Sequence, residues 1–404
     1  MIKQRYKDSV PETGAITALL AMTALLTMVA LSVLGSREAS AQGSTYWMYV
    51  AAESDDVVEK LAFTPGSGFR HVKSVPVGIW PTETEGPHGL ALSPDGRYWY
   101  VSIAHGIPFG LLFKYATEDD AYVADTTLGL FPATLSVSPS TGLLFAANFN
   151  LHGDHVPSTI SVVETESMTE VAQIPTGVMP HGSRINARGS RQYTVAMMND
   201  ELREIDAYKL RTSRVLPLSE NAPSWHHYQE TGNGLADEEH SMGDETMTGM
   251  DGHHEMKPPL VKPTWATQVT PQGMVYVAGN GNTTIYEVDV DAWKVVRSFE
   301  GTGKGVYNLD VTADGRILVG TYKGDRAIGI WDTESGEELA RLDTLRPIPH
   351  GVVISPDGKY AFVTIEGIGG EPGSVEAYSL ETLERVGNID IAKQAGGIVF
   401  WKAE

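Results

Sequence analysis

Apolar and aromatic positions along this chain come in short runs broken by tight turn signals, the pattern of strands rather than of helices. The clearest instance lies between 87 and 103. An apolar run at 89–92 is followed by Ser93-Pro94-Asp95-Gly96 and then by an aromatic, β-branched run at 97–103. Proline presets φ at the second turn position, aspartate bonds its own backbone, and glycine takes the positive φ that other residues resist. The stretch therefore predicts a β-hairpin.

The same turn returns at Ser138-Pro139-Ser140-Thr141-Gly142, Asn186-Ala187-Arg188-Gly189, Thr270-Pro271-Gln272-Gly273, Thr312-Ala313-Asp314-Gly315 and Ser355-Pro356-Asp357-Gly358. The turn glycines are 46, 47, 84, 42 and 43 residues apart, and an interval near 42 with strand-turn-strand content is the period of a propeller blade. Full blades are expected at 87–131, 132–179, 180–220, 263–303, 304–348 and 349–394. Strand-like runs at 46–52, 57–63 and 69–77 look like a blade without its first strand. The run at 396–401 supplies that strand, which closes the ring and removes two exposed edges. The expectation is an all-β, seven-bladed β-propeller over 42–404. The doubled interval contains residues 221–262, a polar, acidic, Gly-rich insert without strand alternation.

Residues 1–41 stand apart from this pattern. Lys3, Arg5 and Lys7 precede an apolar run at 15–34, and Ala39-Ser40-Ala41 follows, the order of a secretory signal cleaved before Gln42. The apolar run is also about as long as a membrane span, so an uncleaved N-terminal anchor is the alternative. Both place the body in the periplasm or outside the cell. Net charge is −21 for the whole chain and −22 without residues 1–41, which leaves 26 basic against 48 acidic groups. That balance argues against nucleic-acid and anionic-membrane partners. The chain has no cysteine, which excludes disulfides, zinc-thiolate sites and Cys-x-x-Cys-His haem attachment.

Any metal must therefore use His, Met, carboxylate or backbone ligands, and the histidines are not scattered. His88, His181 and His350 each precede a turn glycine by eight residues, on a ring whose other members are expected to be Thr134, Trp265 and Tyr307. His105, His152 and His155 fall in loops after second strands, on the same rim. The insert emerges there too, with His226, His227, His240, His253 and His254. Only His71, in an outer strand, is left out of this face. Several imidazoles from separate blades suit copper, zinc, iron or nickel. In the insert, Met247, Met250 and Met256 interleave with the histidines, and thioether beside imidazole favours copper. A rim histidine that only bonds a neighbouring carbonyl is the competing reading.

Ser355-Pro356-Asp357-Gly358-Lys359-Tyr360-Ala361-Phe362-Val363-Thr364, followed by Gly373-Ser374-Val375-Glu376-Ala377-Tyr378, resembles the YVTN-type β-propeller repeat, and the chain resembles exported YncE-like proteins over roughly 46–402. The resemblance implies a seven-bladed propeller without implying one activity. The leading expectation is an exported metal-binding propeller, for copper before zinc, possessed of a His-rich rim that also receives a small-molecule or protein ligand. The alternatives are a non-catalytic binding scaffold and a lactonase-like hydrolase, which would need a carboxylate-dominated axis.

Overall fold

The computed structural model describes residues 43–80, 82–105, 109–220, 222 and 259–404, and 45–404 form one unit. Seven four-stranded antiparallel sheets follow one another as blades. The innermost strands are Pro87–Leu92, Pro132–Val137, Pro180–Ile185, Pro263–Ala266, Val306–Val311 and Pro349–Ile354 for blades two to seven, and Ala395–Ala403 for blade one. Among the described residues no helix is long and apolar enough to cross a membrane.

The repeated turns do what their chemistry dictates. The amides of Gly96, Gly189, Gly273, Gly315 and Gly358 donate to the residue three earlier at 2.8 or 2.9 Å, and φ at these glycines lies between 69° and 80°. In Ser93-Pro94-Asp95-Gly96 the serine hydroxyl donates to Asp95 at 2.6 Å and the Arg97 amide at 3.1 Å, which together hold the Asp95 carboxyl down to about 2. Blade three departs from the rule: Gly142 N–H reaches Ser138 O, four residues back.

Ring closure is as expected. Strand Tyr46–Ala52 pairs with Ala395–Ala403 in the register Met48↔Phe400 and Val50↔Ile398. Tyr46 packs edge-on against Tyr360 of blade seven at 5.2 Å and its hydroxyl donates to Asp357 at 2.7 Å. The core lies between blades. Fully buried Trp99 of blade two stacks on Tyr49 of blade one at 5.1 Å and on Tyr115 at 4.2 Å. Such pairs contribute about 0.5–1.5 kcal/mol each beyond their buried area.

One device repeats at the rim that bears the histidines. The residue before each inner strand, namely Gly86, Phe131, Met179, Lys262, Gly305, Ile348 and Gln394, has φ between 44° and 67°. In six blades its carbonyl accepts the amide of the first residue after the second strand, as in Glu53 N–H to Gln394 O at 3.0 Å and Lys323 N–H to Gly305 O at 3.0 Å. The left-handed turn costs a non-glycine residue about 1–2 kcal/mol. It clips two loops together and sets their side chains over the channel mouth.

Neighbouring inner strands approach closely where the Pro-His-Gly glycines stand. A Cβ on Gly182 would lie 2.3 Å from Trp265 Cα and 2.5 Å from Thr264 O, and one on Gly89 would lie 2.8 Å from Ala133 O. Gly182→Ala is expected to destabilise the protein by about 1–3 kcal/mol, the range for overpacking. Gly370→Ala, where nothing stands within 4 Å of the added methyl, is expected to be near neutral. Urea unfolding of the two variants checks the difference.

Candidate metal centre

Each Pro-His-Gly strand carries a register shift after its first residue. Pro87 pairs with Ile103 but Leu90 with Val101, Pro180 with Ala196 but Ser183 with Thr194, and Pro349 with Ile365 but Val352 with Val363. The bulge re-aims the second residue. The amides it frees are satisfied by the second strand, Gly89 N–H by Ser102 Oγ and Gly351 N–H by Thr364 Oγ1, both at 2.8 Å.

His88, His181 and His350 are thereby brought together and buried, at 7%, 1% and 4% exposure. Ring centroids are 6.0 Å apart for His88 and His181 and 5.6 Å apart for His88 and His350. Nδ1 of His88 bonds Ala133 O at 2.9 Å, and Nδ1 of His181 bonds Thr264 O at 2.8 Å. A carbonyl only accepts, so Nδ1 carries a proton in both rings, which leaves Nε2 as the nitrogen that could ligate. At His350 the corresponding carbonyl, Gly396 O, is taken by Thr364 Oγ1 at 2.6 Å, and Nδ1 has no partner among the described residues.

The residues that accept these bonds correct the expected ring. The equivalents of His88 are Ala133 in blade three and Thr264 in blade five, not Thr134 and Trp265. Blade three has a longer turn, and blade five carries one more residue between its first proline and its turn, so counting eight back from the glycine stops one residue short. Tyr307 is in the ring as expected, with its hydroxyl 3.2 Å from His181 Nε2.

Glu53, which follows the second strand of blade one, completes the cluster. It is 4% exposed, with Oε1 3.7 Å from His88 Nε2 and Oε2 3.0 Å from Gln394 Nε2, which donates to it. Ligand atoms of Glu53, His88 and His350 all lie within 4.8 Å of one another. Tetrahedral ligands 2.0–2.1 Å from an ion sit about 3.4 Å apart, so modest side-chain rotation would bring these atoms to coordinating distance. Sequence reasoning missed Glu53 because no repeat turn precedes it in its incomplete blade. The available signal was its place, the first residue after a second strand, where Lys323 and Glu366 also stand.

Lys323 and Glu366 form an ion pair at 2.7 Å beside the imidazoles, Glu366 Oε1 lies 3.8 Å from His350 Nε2, and Lys323 Nζ sits 3.8 Å above the Tyr307 ring. Burial pulls the Lys323 ammonium down, but Tyr307 and Glu366 outweigh it and the net direction is up. Burial, with Lys323 and the other two imidazoles, holds His350 well below the usual range, and burial with His88 brings His181 down to about 3. Both are neutral at pH 7, the ligating form.

A second pair stands further out. His105 Nδ1 is 3.0 Å from His152 Nε2, and His105 Nε2 is 3.5 Å from Glu53 Oε2, so one carboxylate faces both groups. His155, exposed on the same loop as His152, joins neither. Phe131 and Phe149 wall the imidazoles at 4.8 to 5.5 Å, and Met179 and Met197 pack against this collar. Glu85 is occupied structurally, accepting the amides of Ile79 and Trp80. His71 bonds Glu59 at 2.7 Å, away from the rim. His226, His227, His240, Met247, Met250, His253, His254 and Met256 lie outside the described residues.

The fold and the centre together define a seven-bladed propeller with a buried imidazole cluster across its axis. Among solved structures the chain is similar to the hydrazine synthase of Kuenenia stuttgartiensis, at 15% identity and a TM-score of 0.57 over 79% of this chain and 92% of that one, a likeness of fold. No protein-family model and no curated protein matches the chain.

The neutral imidazoles have a consequence for acid stability. The His181 pKa is depressed in the folded state, so the unfolded chain binds the extra proton below about pH 6.5. Its contribution is complete above that pH and is lost as pH falls toward about 3. In metal-free protein, His181→Phe is expected to flatten the fall of unfolding free energy across this window by up to about 1.4 kcal/mol per pH unit. Chemical denaturation at pH 7, 5.5 and 4 checks it.

Proposed function

We propose that the protein is an exported YVTN-type propeller that holds a transition-metal ion, copper before zinc, between His88, His181, His350 and Glu53. The observation that carries this reading is the convergence of three buried imidazoles, two of them with Nδ1 fixed on the next blade's carbonyl. A second-sphere bond of that kind sets the tautomer in metal sites. Imidazole suits copper and zinc alike, and the Glu53 carboxylate favours a divalent ion. The thioethers of Met247, Met250 and Met256 interleaved with histidines in the insert tilt the choice toward copper. His105 and His152 stand between solvent and Glu53, where an arriving ion would meet them first.

The order of residues 1–41 supports export, and the repeat turns support the YVTN kinship. Exposed Trp80, Phe109 and Ile368 on loops of this rim would receive a partner protein or an apolar ligand beside the ion. Three imidazoles against two adjacent carboxylates, one of them paired with Lys323, do not favour a lactonase-like hydrolase.

Elemental analysis of residues 42–404, purified without a His-tag from metal-replete medium, tests the reading. Near-stoichiometric copper is expected in the wild type, with metal content cut at least fivefold in His88→Ala and Glu53→Ala while circular dichroism is unchanged. Deletion of 221–262 is expected to leave the axial ion in place. Metal that survives both substitutions but vanishes with the deletion would move the site to the insert and overturn the assignment.

A further inference from the structure

Beneath the imidazoles the channel holds a chemistry that metal binding does not use. Arg184, the fifth residue of strand Pro180–Ile185, points its guanidinium into the channel with its face 4.3 Å from the Trp265 ring. Among the described residues its hydrogen bond is to Ser183 O at 2.9 Å, and no carboxylate comes within 4.0 Å of it. Asp310 is its nearest counter-charge, but that carboxylate is committed to the amides of Ile354 at 2.7 Å and Val311 at 3.0 Å. Burial lowers the Arg184 guanidinium only to about 10, so it remains a cation.

Between Arg184 and the pair His88 and His350 lies a chamber of about 30 Å³, room for on the order of two water molecules. Three residues of its wall carry buried polar atoms without partners among the described residues, Thr134 Oγ1, Trp265 Nε1 and Asn308 Oδ1, and His350 at its ceiling carries a fourth, Nδ1. A buried polar atom left unpaired costs about 1–3 kcal/mol, so three around one small space mark a place built for a polar occupant. The indole N–H and the threonine hydroxyl donate, the asparagine amide presents either its oxygen or its NH2, and the guanidinium supplies charge. On the other side of Arg184 a cavity of about 500 Å³ runs between the inner strands as far as Ala313 and Pro356, at the rim opposite the histidines.

From these contacts we infer that the chamber is a binding site for a small inorganic anion of two or three heavy atoms, held by Arg184, Trp265 and Thr134 and admitted from the turn-bearing rim. The fit is one of size and charge: the chamber excludes carboxylates with side chains, and a partly buried guanidinium stacked on an indole, with no carboxylate paired to it, is the strongest anion receptor in the channel. Asp310 opposes the anion. The site uses none of the side chains proposed to hold the ion except as its ceiling, so it stands or falls without the metal.

Calorimetric titration of sodium nitrite into metal-free residues 42–404, in low-chloride buffer, tests it. Saturable one-site binding is expected in the wild type, at least tenfold weaker in Arg184→Gln, intermediate in Arg184→Lys, and severalfold tighter in Asp310→Asn. Circular dichroism reports whether each variant folds, and Asp310→Asn keeps the test open should Arg184→Gln fail to. Absence of saturable binding in the wild type would mean the chamber holds water alone. Binding equal in wild type and Arg184→Gln, affinity unchanged or weakened in Asp310→Asn, or binding that appears only with metal and ignores Arg184, would each overturn the inference.

Discussion

The close approach of neighbouring inner strands is the constraint on which the rest depends. At Gly89, Gly182, Gly351 and Gly397 the backbone of the next strand stands where a side chain would begin, down to 2.0 Å between a Gly397 Cβ and His88 O. That proximity brings Ala133 O and Thr264 O within reach of the preceding blades' imidazoles, His88 and His181, and fixes Nδ1 of each. A looser ring would keep the blades and lose the cluster. The same contacts bury the histidines, and burial is the first cause of the lowered pKa of His181 and His350.

Charge around the axis follows from the same crowding. Lys323 with Glu366, and Arg184 near Asp310, are placed where desolvation of an ion is expensive, and neither arrangement is needed to close a propeller. Partly buried ionisable groups gathered in a channel point to chemistry rather than to stability. The two groups lie at different depths, one beside the histidines and one beneath them.

Much of the architecture was legible in the residues. Turn chemistry fixes six hairpins, their spacing yields the blade, and a three-stranded first blade with a lone last strand forces closure. The histidine rim followed from which loops share a face. What escaped depended on single-residue offsets and on conformations without a sequence signal. An extra residue in the blade-three turn shifted Ala133 to Thr134. Phe131, Met179, Ile348 and Gln394 adopt the left-handed region without glycine to announce it, because the rim clip over-determines them. Glu53 sits in the blade that has no repeat turn of its own, and Arg184 and Asp310 looked like ordinary alternating positions of two strands.

Closure by the last strand also sets an order in time. Glu53 and Gln394 are hydrogen-bonded neighbours at the centre yet stand 341 residues apart along the chain. A polypeptide delivered N-terminus first, by ribosome or by translocation pore, presents the carboxylate early and its holding partners last. The axial cluster is therefore complete only once the last strand has paired, and the bond that holds Glu53 is among the last to form.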